Sequence, residues 1–408
     1  MRLIGKRKHY SLMQISADRK FMKRAIALGR MGLGLASPNP SVGCVIMRRG
    51  KVVGQGWHEY LKMDHAEVRA LSAAGADSRG ATAYVTLEPC SHQGRTPPCA
   101  DRLVQAGVRR VVVGRIDPNP LVSGKGITIL KAGGLSVDCG LMQEECSELI
   151  EPFARHITSG IPLVMSKAGM SLDGRIGTYQ GESRWITSPE GRDFSQALRL
   201  QADAILVGVG TIIADNPELT YRGKQEKARP LLRVVLDSKL RAPVNARIFS
   251  TPFQAPVLVF CAEHAAPVRR KRLETRGVEV VTAPQNRSGL DLQFILHELG
   301  RRNVLSVLVE GGSEVHWSFL EARLVDKFYS IIAPLFIGGH RAVASVGGKG
   351  YRLISEAPRF KIRKKYNAGP DLILESYPVY SRSILSPWLS PVTLPCVAPG
   401  AAPASGRK

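Results

Sequence analysis

The chain has 408 residues, of which 44% are hydrophobic and 22% are charged. It is therefore long enough for two or three globular domains and has an ordinary globular composition. No apolar run reaches the ~18 residues of a membrane-spanning helix. The basic N-terminus lacks the apolar segment of a secretory signal, so we expect no membrane partner.

The formal net charge of +23 favours anionic partners, which include phosphorylated small molecules and nucleic acids. The basic clusters at 269–272 and 361–365 contain no interleaved aromatic residues that could stack on bases. We interpret both clusters as solvated surface. The prediction is a phosphorylated small-molecule substrate and no nucleic acid.

The seven cysteines are an odd number at irregular spacing, which predicts reduced thiols and a cytoplasmic protein. Cys90 and Cys99 are candidate metal ligands. Cys44, Cys139 and Cys261 lie in apolar or strand-like segments, so we expect them to pack in the interior.

The first half of the chain predicts an α/β domain over residues 18–158 after a basic extension at 1–17. Asp18 is the expected N-cap of the first helix. The elements follow in the order strand, strand, helix, strand, helix, strand, and a further helix and strand close the domain. Their predicted ranges are strands 42–47, 51–55, 81–87 and 108–113 and helices 65–74 and 99–106.

The second half predicts another α/β domain over residues 159–377, reached through a helical linker at 141–160. Strands and helices alternate here, which favours a mainly parallel sheet. A tail rich in Pro, Ser and Ala over 378–408 is expected to be disordered. The predicted strands are 162–167, 204–207, 233–236, 257–260, 278–281, 304–309 and 327–332, and one helix is predicted over 189–200.

One stretch carries a metal-site pattern. His65 and Glu67 lie at a predicted helix start, Cys90 follows a predicted strand, and Cys99 opens the next helix. One His nitrogen and two thiolates can fill three positions of a tetrahedral Zn²⁺ site, and the fourth position can take a water. His-x-Glu followed by Pro-Cys and a second Cys is the zinc-deaminase signature.

The segment between the two cysteines narrows this interpretation. The string Pro-Cys-Ser-His-Gln-Gly-Arg-Thr-Pro-Pro-Cys, with Pro-Asn-Pro and His-Ala-Glu-Val upstream, resembles the bifunctional deaminase–reductases of riboflavin biosynthesis. The resemblance covers about residues 18–377. It implies a cytidine-deaminase-like first domain that hydrolyses the 2-amino group of 2,5-diamino-6-ribosylamino-4(3H)-pyrimidinone 5′-phosphate. His65, Cys90 and Cys99 would then bind Zn²⁺, with Glu67 as the proton shuttle.

The resemblance also implies substrate contacts in this domain. Four residues match them: Asn39, His58, His92 and Arg95. Asn39 could equally be a turn residue and Arg95 a solvated charge. The chain departs from the family at Lys62 and Asp64, where Gly and Pro are usual, so the loop that carries His58 could have a different shape.

The second half lacks Gly-x-Gly-x-x-Gly, which argues against a Rossmann domain. It has two strand–Gly–helix junctions, at 207–211 and 309–313, which suit close approach of a phosphate to the backbone. With Ser-Leu-Asp-Gly-Arg and Gly-Glu-Ser-Arg-Trp-Ile-Thr, they resemble the family's reductase domain, which has a dihydrofolate-reductase-like fold. The implied reaction is NADPH reduction of the opened ribosylamino group to give 5-amino-6-(5-phosphoribitylamino)uracil.

Several residues match family contacts in this second domain. Those that match the cofactor contacts are Gly169, Trp185, Thr211, Asp215, Ser238, Gly312 and Ser313, and those that match the substrate contacts are Ser183, Arg199, Leu219, Arg222 and Glu310. Guanidinium groups pair with phosphate oxygens, so Arg199 and Arg222 suit the 5′-phosphate. Lys167 and Asp215 are candidates to polarise or protonate the reacting centre. Trp185 could instead be a core aromatic, and Asp173 could hold a turn.

Two other functions are compatible with part of this pattern. An RNA or nucleoside deaminase with a basic accessory domain would share the metal motif and suit the charge. A zinc-stabilised binding module would need a fourth protein ligand and would leave Glu67 without a role. The wide Cys90–Cys99 spacing and the motifs of the second half favour the two-step enzyme, for which the family suggests a homo-oligomer.

Overall fold

A computed structural model describes residues 12–92, 97–251 and 255–380. Two larger β-sheets organise these residues, one of five strands in the first half and one of nine strands in the second. No helix in the described ranges combines the length and the apolar character needed to cross a membrane.

The first half contains the strand and helix order that the sequence predicts. The sheet order is β2-β1-β3-β4-β5, with antiparallel pairing of β1 to β2 and β3 and parallel pairing from β3 to β5. Five of the six residues in each of β3 and β4 are buried, so the sheet is covered on both faces, as near-continuous apolar strands require. The elements are α1 (Leu12–Met31), β1 (Gly43–Arg48), β2 (Lys51–Trp57), α2 (Ala66–Ala74), β3 (Thr82–Leu87), α3 (Cys99–Gln105), β4 (Arg110–Arg115), α4 (Lys125–Ala132), β5 (Ser136–Cys139), α5 (Gln143–Leu149) and α6 (Glu151–Ser159).

The predicted start of the first helix is wrong. Helix α1 begins at Leu12, so part of the expected extension at 1–17 is helical, and residues 1–11 lie outside the described ranges. Asp18 therefore lies within the helix and does not cap it, and its carboxylate faces the sheet. It accepts hydrogen bonds from the Arg110 guanidinium at 2.7 and 2.9 Å and from the Tyr84 hydroxyl at 2.7 Å.

The second half is a nine-stranded sheet in the order β11-β10-β9-β8-β14-β6-β15-β18-β17. The strands from β11 to β15 pair in parallel, and β18 and β17 continue the sheet in antiparallel fashion. The predicted strands of this half are all present. The elements are β6 (Leu163–Ser171), β7 (Arg175–Gly177), α7 (Pro189–Gln201), β8 (Ala204–Gly208), α8 (Val209–Asp215), β9 (Leu232–Leu236), β10 (Val257–Cys261), α9 (Pro267–Glu274), β11 (Glu279–Thr282), β12 (Gln285–Asn286), β13 (Gly289–Leu290), α10 (Leu292–Arg301), β14 (Ser306–Val309), α11 (Ser313–Glu321), β15 (Lys327–Ala333), β16 (Val343–Ala344), β17 (Arg359–Ala368) and β18 (Asp371–Val379).

The hairpin of β17 and β18 is an element that the sequence reasoning missed. The basic cluster at 361–365 lies in β17, where most of its side chains are exposed, so its assignment to the surface is confirmed. Because β18 runs to Val379, the expected tail begins later than residue 378, and residues 381–408 lie outside the described ranges.

The predicted helical linker is two short helices, α5 and α6, and it is tied to the second sheet by buried charges. Glu151, at the start of α6, accepts a 2.6 Å hydrogen bond from the Lys327 ammonium of β15. It also accepts a 2.7 Å bond from the Tyr377 hydroxyl of β18. Since Glu151 and Lys327 are both buried, each needs the other, and the two halves are joined by a specific contact.

Candidate functional site

The candidate metal ligands lie at neighbouring ends of three secondary-structure elements. His65 is the N-cap residue of α2, Cys90 follows β3 after Glu88-Pro89, and Cys99 is the first residue of α3. Pro98 precedes α3 at its N-cap, a position where the absent N–H costs the helix nothing. The predicted placement of the three residues at helix starts and a strand end is confirmed.

The distances between these side chains suit one metal ion. His65 Nδ1 lies 3.3 Å from Cys99 Sγ and 3.6 Å from Cys90 Sγ. A tetrahedral zinc with Zn–N of about 2.0 Å and Zn–S of about 2.3 Å separates such donors by about 3.5 Å. This trio is the metal-capable His/Cys/Asp/Glu group within the described ranges. The donor set therefore fits Zn²⁺ with one coordination position left for a non-protein ligand.

The local electrostatics favour thiolate at this position. Hydrogen bonding with Cys99 and His65 lowers the pKa of Cys90 to about 4 despite its burial. The Cys99 backbone N–H also donates to Cys90 Sγ at 3.2 Å. Sharing a proton with that thiolate raises the pKa of Cys99 in turn. A thiolate is the form of cysteine that binds zinc.

Glu67 is placed to exchange protons beside this trio. It lies on the first turn of α2 with only 4% of its surface exposed. Burial raises its pKa to about 7, although the nearby His65 opposes that shift. A carboxyl group with a pKa near neutrality can both accept and release a proton at physiological pH.

Asn39 and His58 form a hydrogen-bonded pair behind His65. The Asn39 amide nitrogen lies 3.0 Å from His58 Nε2, and His58 Nδ1 lies 2.9 Å from the backbone oxygen of Asp64. The His58 ring packs edge-on against the His65 ring, with centroids 5.3 Å apart. Burial lowers the pKa of His58, which favours the neutral ring, and a neutral imidazole can donate at one nitrogen while it accepts at the other. Both ring nitrogens are occupied, which makes His58 a group that orients Asn39.

The departure from the family pattern at Asp64 does not disturb this arrangement. The group that holds His58 is the Asp64 backbone carbonyl, and the Asp64 side chain is exposed. A carbonyl is present whichever residue occupies the position. Lys62 lies in a short 3₁₀ turn and pairs with Glu59 at 2.9 Å.

The loop between the two cysteines is described only in part. His92 is exposed, and Arg95 lies outside the described residues. Sequence reasoning missed Glu88, which directly precedes Pro89-Cys90. Its buried carboxylate accepts backbone N–H bonds from Asp117, Gly124 and Ile127 at 3.0–3.2 Å. A carboxylate that immediately precedes Pro-Cys at a strand end was the available signal. Glu88 fixes the Cys90 segment on the loop that follows β4.

The second half contains a buried charge network at the carboxyl end of β14. Glu310 accepts two bonds from the Arg199 guanidinium, at 2.8 Å on Oε1 and 3.0 Å on Oε2, and Lys167 Nζ lies 3.1 Å from the same Oε2. Burial alone would raise the pKa of Glu310, but Arg199 and Lys167 hold it well below its usual range. Arg199 also donates to the Thr220 carbonyl at 2.9 Å. Three predicted residues are therefore brought together as an ion-paired cluster.

A cavity of about 910 Å³ opens where β8, β9 and β14 end. Crevices at the carboxyl ends of parallel strands are the usual nucleotide sites of α/β sheets. The cavity is lined by four residues predicted to contact the cofactor: Thr211, Ser238, Gly312 and Ser313.

The glycines around this cavity have two different tasks. A Cβ atom at Gly208 or Gly311 would lie 2.7 Å from the Val315 side chain, so these glycines allow α11 to pack on the sheet. A Cβ at Gly210 would meet nothing within 4 Å, and one at Gly312 only the Thr211 hydroxyl at 3.6 Å. Gly210 and Gly312 therefore leave bare backbone open to the cavity, as a bound phosphate requires.

A further group of predicted residues surrounds Asp215. The Ser183 hydroxyl donates to its carboxylate at 3.0 Å, and the Arg184 guanidinium donates to its backbone oxygen at 2.7 Å. Trp185 follows with 68% of its surface exposed, and the Arg192 guanidinium lies 4.4 Å from its ring centre. The alternative of Trp185 as a core aromatic is therefore wrong.

The remaining predicted residues are dispersed. Gly169 lies on β6, Leu219 is buried in the core of the second half, and Arg222 is exposed. The Asp173 carboxylate accepts from the Ser171 hydroxyl and from the backbone N–H groups of Ile337 and Gly338. Asp173 thus holds a turn.

Comparison with protein families matches both halves of the chain. Residues 15–115 match the cytidine and deoxycytidylate deaminase zinc-binding region, and residues 162–374 match the RibD C-terminal domain. The second match speaks against the alternative of a nucleic-acid deaminase with a basic accessory domain.

Relatives align with nearly the whole of both chains. The riboflavin biosynthesis protein RibD of Actinobacillus pleuropneumoniae is 40% identical over 359 residues, which are 88% of this chain and 94% of the relative. The RibD of Escherichia coli strain K12 is 39% identical over 88% of this chain and 98% of the relative.

Solved structures show the same architecture. Acinetobacter baumannii RibD superposes with a TM-score of 0.80 at 36% identity and covers 90% of this chain and 100% of its own. A Thermotoga maritima diaminohydroxyphosphoribosylaminopyrimidine deaminase/5-amino-6-(5-phosphoribosylamino)uracil reductase has a TM-score of 0.78 at 36% identity, covering 90% of this chain and 99% of its own. The predicted combination of a cytidine-deaminase-like and a dihydrofolate-reductase-like domain is confirmed.

Proposed function

This chain belongs to the RibD family of riboflavin biosynthesis proteins, and we propose that it performs two consecutive reactions on one phosphorylated pyrimidine. It is an enzyme with a zinc-binding deaminase region and an NADPH-dependent reductase domain. The observation that carries the first reaction is the His65, Cys90 and Cys99 trio beside buried Glu67.

The first reaction in this proposal is hydrolysis of the 2-amino group of 2,5-diamino-6-ribosylamino-4(3H)-pyrimidinone 5′-phosphate. His65, Cys90 and Cys99 would hold the zinc, whose Lewis acidity activates a water for attack on the ring carbon. Glu67 takes a proton from that water and passes it to the adjacent ring nitrogen. The same carboxylate then takes the remaining proton from the hydroxyl now bonded to the ring carbon and gives it to the departing amine as the carbon–nitrogen bond breaks. Water oxygen replaces nitrogen, and ammonia leaves.

Asn39 is the residue of this site that we propose to contact the pyrimidine, because His58 holds its amide in place. We propose His92 and Arg95 as further contacts with the substrate. Support for His92 is its exposed position close after Cys90. The proposal for Arg95 rests on the family resemblance alone.

The second reaction in this proposal reduces the ribosylamino group of the deaminated product to a ribitylamino group. NADPH supplies the hydride. The open cavity beside Gly210 and Gly312 supports a cofactor site there, with Thr211, Ser238 and Ser313 as contacts. We assign Gly169, Trp185 and Asp215 to the same cofactor by resemblance, and the exposed Trp185 ring is accessible for such a contact.

Substrate in this second site would be held near the Glu310 network. We propose Lys167 as the group that polarises or protonates the reacting centre, with Asp215 as the other candidate. The Arg199 guanidinium already donates hydrogen bonds to Glu310 and to the Thr220 carbonyl through both of its edges. Exposed Arg222 is therefore the better candidate for the 5′-phosphate, while Ser183 and Leu219 remain substrate contacts by resemblance.

We also propose that the two activities belong to separate domains, the first from α1 to α6 and the second from β6 to β18, which divide near the predicted boundary at 158–159. The end of α6 at Ser159 and the start of β6 at Leu163 support a boundary there. The six cysteines in the described ranges are free thiols, which supports a reducing, cytoplasmic location. We propose a homo-oligomer from the family resemblance alone, which light scattering on purified protein would test.

The alternative of a zinc-stabilised binding module is less well supported. A structural zinc site needs four protein ligands, and the group in the described part of the chain has three. Glu67 would also be a buried carboxyl without a task.

The decisive experiment is a coupled assay. Zinc-replete protein receives the diaminopyrimidine phosphate and NADPH, and ammonia release and NADPH oxidation are measured. We expect Glu67→Gln to lower deamination by about a thousandfold with zinc content unchanged. NADPH oxidation with the deaminated intermediate should persist. Full deamination by this variant would overturn the first reaction, and no NADPH oxidation with that intermediate by wild-type protein would overturn the second.

Asp101→Asn is the matched control, because Asp101 lies two residues after Cys99 on α3 as Glu67 lies two residues after His65 on α2. It should retain both activities. Equal losses in the two variants would point to a general effect of acid removal near the helix starts.

A further inference from the structure

The cavity at the ends of β8, β9 and β14 has a distinctive loop on one side. After β9 the chain continues as Asp237-Ser238-Lys239-Leu240-Arg241. Ser238 and Arg241 line the cavity, whereas Lys239, between them, does not. The loop thus presents two polar side chains, Ser238 and Arg241, to any nucleotide that occupies the cavity.

The acidic residue of this loop is turned away from the cavity. Asp237 is completely buried, and its carboxylate accepts a 2.7 Å bond from the Ala242 backbone N–H. The Leu240 N–H closes the turn on the Asp237 carbonyl at 3.1 Å. In nucleotide sites that favour NAD, an acidic residue near such a strand end accepts the ribose 2′-hydroxyl. Here that carboxylate is completely buried, with only Oδ2 bonded to the backbone and Oδ1 without a partner in the described ranges, and Asp237 is not among the residues that line the cavity.

The other charges of the cavity leave one cation available. Arg241 is the sole cationic residue among the described residues that line it. The acids around it already have partners: Asp291 caps α10, Glu314 accepts from the Gly348 N–H at 3.1 Å, and Glu321 pairs with Lys349 at 2.9 Å. The Arg241 side chain is exposed. Its guanidinium can therefore turn to an anionic ligand without breaking an internal ion pair.

We propose that Arg241 recognises the 2′-phosphate of NADPH, with the Ser238 hydroxyl as a second donor from the same loop. The inference rests on the proposed reductase function of the second half. A guanidinium forms paired, charge-assisted hydrogen bonds with phosphate oxygens. Asp237, the acid of this loop, is buried away from the cavity, and the three acids that line it within the described ranges have the partners named above. Preference for NADPH over NADH is thereby assigned to one loop.

The test measures binding directly. Titration calorimetry on wild-type protein, Arg241→Gln, Arg241→Lys and Lys239→Gln would use NADP⁺, NAD⁺ and 2′,5′-ADP as probes. We expect Arg241→Gln to weaken NADP⁺ and 2′,5′-ADP by about tenfold to a hundredfold and NAD⁺ by less than about threefold. Arg241→Lys should recover part of the loss, because it restores the charge without the paired donors. Lys239→Gln, the matched control, should bind all three probes like the wild type.

Two results would overturn the proposal while the reductase assignment stands. One is NADP⁺ binding by Arg241→Gln that equals that of the wild type. The other is an equal loss for NADP⁺ and NAD⁺, which would assign Arg241 to the common part of the dinucleotide or to the fold. Wild-type protein that binds neither dinucleotide would overturn the cofactor site of the proposed function and this inference together.

Discussion

The two candidate centres of this chain are built in different ways. The first takes its candidate metal-binding side chains from a single stretch, from His65 to Cys99, and positions them at helix starts and a strand end. The second joins Arg199 to Glu310 across 111 positions through a buried ion pair. A centre made of local backbone geometry depends on a few ligands, whereas one made of distant charges depends on the whole sheet that brings them together.

The largest expected effect comes from removing a candidate metal ligand, which should abolish the first activity and leave the second. Cys99→Ala removes one of three protein ligands, so zinc content should fall close to zero and deamination should drop by about a thousandfold or more. Reduction of the deaminated intermediate should persist, because no residue of the Glu310 network lies in the first half. Metal analysis and separate assays of the two steps would check this.

The control for that variant is Cys261→Ala, which removes a buried thiol from β10 in the second half. It should keep zinc and both activities. If Cys99→Ala abolished both steps, the two centres would depend on each other, and the metal ligands would not act on the first reaction alone.

The next effect breaks the distant charge network. Glu310→Gln leaves Lys167 and Arg199, which are only partly exposed, without their counter-charge. Loss of one partner of a buried pair costs about 3 kcal/mol or more, and partial exposure should bring the cost towards the lower end of that range. We expect a melting temperature lower by several degrees and a reductase rate lower by about a hundredfold or more, with zinc content unchanged. Calorimetry and the NADPH assay would measure both.

Glu321→Gln is the matched comparison, because Glu321 pairs with the exposed Lys349. Exposed ion pairs contribute little, so its melting temperature should stay close to that of the wild type. Equal shifts for Glu310→Gln and Glu321→Gln would mean that burial does not set the strength of these pairs.

The same contrast explains what the sequence allowed us to predict. The order of strands and helices, and the placement of His65, Cys90 and Cys99, follow from local patterns and short spacings. Asp18 looked like an N-cap because its partner Arg110 lies 92 positions away. Arg199 looked free for a phosphate because no residue near it in the sequence indicates its pairing with Glu310. Long-range side-chain pairs leave no periodic signal, so they require the structure.

The missed hairpin has a different cause. In β17 the side chains are mostly charged and exposed, so apolar alternation is weak. The turn at Gly369-Pro370 and the apolar residues of β18 were the remaining signals. An edge strand that is rich in lysine and arginine resists pairing with other chains, and the same charges make it look like a solvated loop.

A smaller effect is the loss of folding stability in acid that a buried histidine of the second half should cause. His316, on α11, is 1% exposed, and burial lowers its pKa to about 4 from an ordinary 6.5. Between these values the unfolded chain binds a proton that the folded chain does not, so the free energy of unfolding falls as the pH falls. The loss should be on the order of 3 kcal/mol in all and should level off below pH 4.

His316→Leu should flatten that part of the stability profile, which denaturant titrations between pH 4 and pH 7 would measure. The matched variant is Phe328→Leu, because the Phe328 ring packs against His316 with centroids 5.7 Å apart. It should lower stability by a similar amount at every pH and leave the slope unchanged. Identical slopes in His316→Leu and the wild type would show that another group controls the acid response.

The smallest effect tests whether backbone geometry alone positions the first centre. Asp64 differs from the family's usual proline, yet its contact with His58 is made by the backbone carbonyl. Asp64→Ala keeps that carbonyl, so deaminase kcat/KM should change by less than about twofold, whereas His58→Leu frees the Asn39 amide and should cost about tenfold or more. Steady-state assays of both variants would decide, and a large loss in Asp64→Ala would mean that the exposed carboxylate itself acts at the site. A small loss would mean that the loop tolerates substitution at this position because the backbone carbonyl, which every residue type supplies, makes the contact. That would explain how the chain departs from its family at Asp64 while it keeps the same arrangement around His65.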